Sequence, residues 1–451
     1  MTTDPPSKRG RSEAVTHDAN EVIELVFDVG MESEEQAYNP DMCHQLFGEE
    51  ELIQGHPEPA ITLKLSAAFH ALLEVDSGGK KEPGATDVVG PFKEAFSDAL
   101  FTDEEAFQRA AAQEGSLDVA ALGTPVSIPG DWAPGCAGGE LSLQLLASSI
   151  ASATPQLKAL HARLQPLLLF YIDAASMIDQ EDDSWDLILA LAETPGGQRV
   201  AGFATLYSFF GWPDSKRMRL SQVFVIPAFQ KRGVGRALLA AATVHAQAAG
   251  ALDMTCEDPT EDLQRLRDRL DVQRARHAPW LLEAARRVSG LAPGATTALE
   301  GKGEVGEGQA AFHTTIPADI TKRARQELCL CKHQAQRVWE VLLYEFLLDA
   351  KGQDGADRAM QQAIRQKLST AISAAETGSK GKVTQETESG FVLQKRRRRD
   401  AGLGVGGRPE TPSVPVEEGS AEAKAAAVEQ AVEARLDAIA SVAQRRGSTL
   451  A

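Results

Sequence analysis

The chain is poor in the features that would place it in several broad classes. It has five cysteines in 451 residues, Cys43, Cys136, Cys256, Cys329 and Cys331, odd in number and without a repeating spacing. A disulfide framework is therefore not expected, and a reducing intracellular compartment is. No apolar run reaches the roughly 18 residues needed to cross a bilayer, and the first residues, MTTDPPSKRGRSEA, contain no apolar core of signal-peptide type. No membrane association is expected. Positive charge is also scarce, with 46 Lys and Arg against 64 Asp and Glu and a formal net charge of −18. That balance argues against direct nucleic-acid binding, whose footprint is basic, and suits either a cationic partner or plain acidic solubility. There is no Gly-Lys-Ser/Thr, which excludes a P-loop.

The hydrophobic residues, 43% of the chain, are unevenly spread, and five regions separate. Residues 1–19 are polar, carry KRGR, and read as a disordered lead. Residues 20–136 hold alternating runs such as EVIELVFDVG and ITLKLSAAFHALLEV between Gly/Pro turns, as expected of a mixed α/β domain. Residues 137–270 alternate apolar strands with helical stretches. There PLLLFYIDAAS and DLILALAE read as adjacent strands, RVAGFATLYSFF as a third, and RLSQVFVI as a fourth stopped by Pro227. Residues 271–368 read as a small helical domain, with HAPWLLEAARRV and HQAQRVWEVLLYEFLLDA flanking the Gly-rich ALEGKGEVGEGQ. Residues 369–451 are low in large apolar side chains and read as mostly disordered. They include a basic run, Lys395–Arg399, and one helix-forming stretch, AEAKAAAVEQAVEARLDAIASVAQRR.

Directly behind VFVIP stands FQKRGVGRALLAAATVHAQAAG, Phe229 to Gly250. Val234, Leu238, Leu239, Ala242 and Ala246 fall on one helical face, and Gly250 supplies a C-terminal cap. A dinucleotide fingerprint would need a third glycine where Leu238 stands. ALDMTCE then reads as a strand ending at Glu257, so the strand–helix–strand unit predicts two parallel strands with a right-handed crossover. A loop whose amides converge at a helix N-terminus is an anion cradle. Gly233 and Gly235 would permit close approach, and Lys231 and Arg232 add charge. A tight turn using glycine for geometry alone fits the same residues.

The run QKRGVG resembles the acetyl-coenzyme A loop of the GNAT acetyltransferase superfamily, Gln/Arg-x-x-Gly-x-Gly/Ala. More narrowly, HQLFGEEE, FYIDAASMIDQEDDSW, GFATLYSFFGWPDSKRMRLSQVFVIPAFQKRGVG, CEDPTEDLQRLRDRLDV and KHQAQRVWEVL resemble the catalytic subunits of type B histone acetyltransferases. The resemblance implies an α/β GNAT acyl-CoA N-acyltransferase fold, between an N-terminal mixed α/β domain and a C-terminal helical domain. It implies acetyl-coenzyme A as cosubstrate, a core histone tail as substrate with histone four expected, a WD-repeat histone chaperone as partner, and residence in nucleus and cytoplasm. The basic run Lys395–Arg399 would be an import signal.

By the same resemblance, the backbone of Val223, Phe224 and Val225 pairs with the pantetheine arm and acetyl carbonyl, and Gln230, Lys231, Arg232, Gly233, Val234, Gly235 and Arg236 wrap the diphosphate. Glu257 is the general base, Asp258 follows it, and Asp173 matches a further acid that is usually the longer glutamate. Glu49, Glu50 and Glu51, with Tyr207, Ser208 and Phe209, match contacts to the histone tail. Elementary chemistry agrees on the need for a base, because a lysine amine with a pKa near 10.4 must lose a proton before it attacks. Cys256 raises a competing acyl-cysteine route. Side chains alternate along a strand, so if Glu257 faces the cleft, Cys256 points into the core. Cys329, Cys331 and His333 form a C-x-C-x-H string with only three ligands in a helical context, and no metal is expected.

Overall fold

The computed structural model describes residues 15–30, 36–114, 117–130, 132, 141–211, 215–289, 314–376 and 421–443. In chain order the strands are β1 (Thr16–Asp18), β2 (Ile23–Phe27), β3 (Ala37–Tyr38), β4 (Leu52–Gln54), β5 (Ala60–Leu65), β6 (Ala71–Asp76), β7 (Leu100–Phe101), β8 (Thr124–Pro125), β9 (Leu143–Ser149), β10 (Trp185–Thr194), β11 (Gly197–Gly211), β12 (Ser215–Val225) and β13 (Ala251–Cys256). The helices are α1 (Ala19–Val22), α2 (His44–Phe47), α3 (Val89–Phe96), α4 (Glu104–Glu114), α5 (Val119–Leu122), α6 (Pro155–Leu164), α7 (Val234–Ala248), α8 (Glu261–Arg276), α9 (Pro279–Val288), α10 (Ala318–Leu328), α11 (Lys332–Glu376) and α12 (Ala421–Ala443). They fall into two compact units. One is drawn from Met1–Val126, Gly135–Thr205 and Val223–Leu238, the other from Ser127–Pro134, Leu206–Gln222 and Leu239–Ala451.

In the first unit, β3-β2-β5-β6-β7 form a sheet in that order, with β2 parallel to β5 and β5 antiparallel to β6. Strict alternation turns Ile23, Leu25 and Phe27, and Ile61, Leu63 and Leu65, to the buried face. Phe92, Phe96 and Phe170 pack together with ring centroids 6.0–6.5 Å apart. A second group of strands in this unit runs β8-β9-β10, all antiparallel. Leu187–Ala192 of β10 is buried throughout, as a strand covered on both faces must be.

In the second unit β12 runs parallel to β13, with Met218 opposite Met254 and Leu220 opposite Cys256. This is the parallel pairing predicted for the strand–helix–strand unit. The remaining helices close a core around Trp339 and Tyr344, both fully buried. α11 is broken by Gly352, whose φ of 68° and ψ of 178° lie outside the helical region. Among the described residues no helix is long and apolar enough to cross a membrane.

Three sequence expectations need correction. Pro166–Phe170, read as part of a strand, lies in a 3₁₀ helix spanning Gln165–Phe170. Leu167, Leu168 and Phe170 are all buried, so the run has no period to separate strand from helix. Its place beside β10 is taken by β9. Of the lead, residues 1–14 lie outside the described residues, whereas Thr16–Asp18 pair with Leu52–Gln54. There Asp18 caps α1 by accepting from the Asn20 amide at 2.8 Å.

The helical region passes residue 368 to Glu376, and the helix-forming stretch of the tail, whose partner the sequence left open, is α12. Val432, Leu436, Ile439 and Val442 join the buried cluster around Trp339. Arg435 donates to Glu340 at 2.5 Å, and Arg365 to Glu429 at 2.6 Å. Cys136, the Gly-rich stretch and the basic run Lys395–Arg399 lie outside the described residues.

Candidate active site

The turn behind β12 is built from its own sequence. Ile226 leaves the strand but still donates its amide to the Ala201 carbonyl at 3.0 Å. Pro227–Phe229 make one 3₁₀ turn, for which the preset φ of proline is suited. The Gln230 side chain reaches back to the Val225 carbonyl at 3.2 Å. Lys231 and Gly233 then take positive φ values of 58° and 88°, and α7 starts at Val234, with its bond from the Ala237 amide to the Gly233 carbonyl at 3.0 Å. Left-handed residues alternating with others turn successive amides to one side, which makes an anion-binding nest, and the first amides of α7 have no partner within the helix. Strain at a non-glycine residue such as Lys231 persists where the surroundings hold it. Phe229, Val234 and Leu238 are buried beneath the turn and anchor it.

Val223, Phe224 and Val225 lead into this turn. The Phe224 ring lies 5.3 Å from that of Tyr171 and 6.0 Å from that of Phe203. Gly202 lets β11 press against this backbone, since a Cβ there would stand 2.4 Å from the Phe224 oxygen. Neither Gly202 nor Tyr171 was singled out in the sequence. A glycine inside a strand was the available signal.

The acidic segment and Asp173 meet in the same unit through a residue the sequence did not single out. His44 stands between two carboxylates, with Nε2 3.2 Å from Asp173 Oδ1 and Nδ1 3.7 Å from Glu51 Oε1. Gln45 beside it exchanges two 3.0 Å hydrogen bonds with the backbone of Ala175. Glu51 is committed to its own fold, because it accepts from the Cys43 amide at 2.5 Å and from Asn20 Nδ2 at 2.8 Å. The Cys43 amide, with the Asn20 amide group in support, holds the Glu51 carboxyl below its usual range. Glu49 and Glu50 are exposed and so is Asp173. The three glutamates thus differ in kind, two turned to solvent and one serving as internal ligand.

In the second unit Glu257 follows β13, and its amide donates to the Leu220 carbonyl at 2.8 Å. Its side chain is half-buried and accepts from Arg219 Nη1 at 2.9 Å. The Arg219 guanidinium lies over the Phe209 ring at 4.4 Å, and that ring meets Tyr207 edge-on at 4.7 Å. Tyr207 and Phe209 are two apart on β11 and share a face. The structure therefore brings Tyr207, Phe209 and Glu257 into one row through Arg219. Ser208 between them is half-buried, and Asp258 is exposed with a φ of 30°. Cys256 is 1% exposed, pointing inward as alternation requires. Cys329 and Cys331 are buried, and burial pushes the Cys329 thiol up to about 12. Among the described residues no group of three His, Cys, Asp or Glu is arranged to hold a metal.

Comparison with known proteins places two family matches along the chain. Residues 15–173 match the family described as "Histone acetyl transferase HAT1 N-terminus", and residues 158–270 match "Acetyltransferase (GNAT) family". Three similar proteins each carry the name "Histone acetyltransferase type B catalytic subunit". That of Arabidopsis thaliana is 30% identical over 197 residues, 42% of this chain and 40% of the relative. That of Zea mays is 27% identical over 318 residues, covering 68% and 64%, and that of Mycosarcoma maydis is 29% identical over 340 residues, covering 68% and 70%. The chain thus spans less than two thirds of the length of the first two.

Proposed function

We propose, for a chain that carries a GNAT acetyltransferase domain and resembles the type B histone acetyltransferase catalytic subunits, that it moves the acetyl group of acetyl-coenzyme A onto a lysine amine in a newly made histone tail, that of histone four. The observation that carries this reading is the nest at Lys231–Gly233 running into the start of α7. Its converging amides, with Lys231, Arg232 and Arg236 beside them, fit a diphosphate. The backbone of Val223–Val225, which lies past the last described pair of β12 with β13 at Leu220, suits an extended pantetheine arm that adds on as a strand would. Bound there, the cosubstrate supplies an activated acetyl thioester.

What the chain itself contributes is proton removal and orientation. Glu257 takes the proton from the lysine ammonium, and the neutral amine displaces the coenzyme A thiolate at the acetyl carbonyl, the thiolate taking up the second proton lost by nitrogen; no enzyme thiol takes part, since Cys256 is turned into the core. Exposed Glu49 and Glu50 attract a basic tail, and the Tyr207–Phe209 wall receives the aliphatic stem of a lysine. Asp173, 81% exposed and bridged to His44, serves as an acid at the edge of the acidic segment. By resemblance the enzyme works with a WD-repeat histone chaperone in cytoplasm and nucleus.

The test is mass spectrometry of a histone four tail peptide incubated with the full chain and acetyl-coenzyme A, with a polyamine as the alternative acceptor. One added acetyl on a tail lysine is expected. A folded protein that binds acetyl-coenzyme A and modifies only the polyamine would overturn the histone assignment.

A further inference from the structure

We infer that Arg219 is the positioning residue for the base, holding Glu257 through one carboxylate oxygen while its own guanidinium lies over the aromatic wall. The inference rests on the reading of Glu257 as the proton acceptor. Leu220 pairs with Cys256 and both are fully buried, so their neighbours Arg219 and Glu257 emerge together on the opposite face. Arg219 Nη1 donates to Glu257 Oε1 at 2.9 Å, and among the described residues no hydrogen bond falls on Oε2, which leaves that oxygen to accept a proton. The Arg219 side chain is only 16% exposed against 39% for Glu257. The cation is thus the fixed member of the pair and the carboxylate the one being fixed.

Two properties make this more than a surface ion pair. Glu257 has three side-chain torsions and lies at a strand end followed by the left-handed Asp258, so without a partner its carboxylate would sample several rotamers. Arg219 is packed by its guanidinium carbon 4.4 Å from the Phe209 ring centroid, and Phe209 by Tyr207 at 4.7 Å. Orientation therefore passes from the wall that receives the lysine stem to the group that receives its proton. A half-exposed pair of this kind adds little to stability. Its effect should appear in turnover instead, where a misplacement of about 1 Å costs up to about a hundredfold. Lysine is no substitute at a stacked site, because an ammonium has neither the plane nor the fork.

The experiment compares Arg219→Gln, Arg219→Lys, Glu257→Gln and the double variant Arg219→Gln/Glu257→Gln in the full chain. It uses a histone four tail peptide at saturation, with thermal unfolding as the folding control. Arg219→Gln is expected to lower kcat about tenfold to a hundredfold with KM for acetyl-coenzyme A and Tm unchanged, and Arg219→Lys to recover only part of the loss. In the Glu257→Gln background the second substitution should add nothing, because no base remains to be held. Wild-type kcat in Arg219→Gln, or the same fold-loss in both backgrounds, would overturn the positioning role while leaving Glu257 in place. Wild-type turnover in Glu257→Gln would instead remove the base assignment, and the clamp with it.

Discussion

Replacing Gly202 by alanine tests whether the backbone behind the cofactor turn has slack. The added Cβ would lie 2.4 Å from the Phe224 oxygen, 3.0 Å from the Val225 Cα and 3.4 Å from Leu238 Cδ1. An ordinary contact begins near 3.4 Å, so the gap is short by about 1 Å, and the obstructing atoms are backbone rather than the end of a flexible side chain. Either Phe224 and Val225 move, or β11 moves and strains the bond from the Ile226 amide to Ala201. Overpacking of this size costs about 1–3 kcal/mol. At about 2–4 °C per kcal/mol for a unit of 150–250 residues, Tm should fall by about 2–12 °C.

Because Val223–Val225 are proposed to hold the acetyl arm, the same shift should lower kcat/KM for acetyl-coenzyme A by about tenfold or more. Calorimetric unfolding and steady-state kinetics read the two effects. Gly130→Ala is the control, since nothing lies within 4 Å of a Cβ there. Wild-type Tm together with wild-type kcat/KM in Gly202→Ala would refute the reasoning.

Cys256→Ala should keep turnover within about threefold of wild type, because direct attack needs no thiol; complete loss in a variant that still folds and binds cofactor would establish an acyl-cysteine route. Reversing the charge of Glu49 and Glu50 together should raise KM for a basic peptide without changing Tm. Glu51→Ala should lower stability by about 1–3 kcal/mol through the lost bonds to Cys43 and Asn20, and equal Tm values for the two variants would contradict the distinction. His161 is buried, accepts on Nδ1 from Gln180 at 3.1 Å, and is pushed down to about 4 from 6.5 by burial. The unfolded chain therefore binds the extra proton first, and stability falls as pH drops from 6.5 to about 4, by about 3 kcal/mol in all. His161→Phe should flatten unfolding free energy across that window, and an unchanged slope there would show that another group is responsible.

How much of this could be read without coordinates depended on the range of the interaction involved. The unit from RLSQVFVI through QKRGVG to ALDMTCE was legible because each step is local. Proline stops the strand, two glycines allow the turn, a 3.6-residue apolar period marks α7, and alternation turns Cys256 inward. The parallel pairing of β12 and β13 followed from the helical crossover that joins them. By contrast, Pro166–Phe170 reads as strand because a run buried on nearly all sides has no period, and it coils as a 3₁₀ helix where Phe170 packs on Phe92 and Phe96.

Three acids in a row, Glu49 to Glu51, look alike as letters. Folding made one of them a ligand for Cys43 and Asn20 and left the other two in solvent. α12 announced itself by composition but not its partner, which depended on Glu340, 95 residues earlier, being buried where Arg435 could reach it. The clamp on Glu257 was hidden for the same reason. Arg219 and Glu257 are 38 residues apart, and what unites them is the register of two strands, which is set by where the whole sheet can bury Leu220 and Cys256.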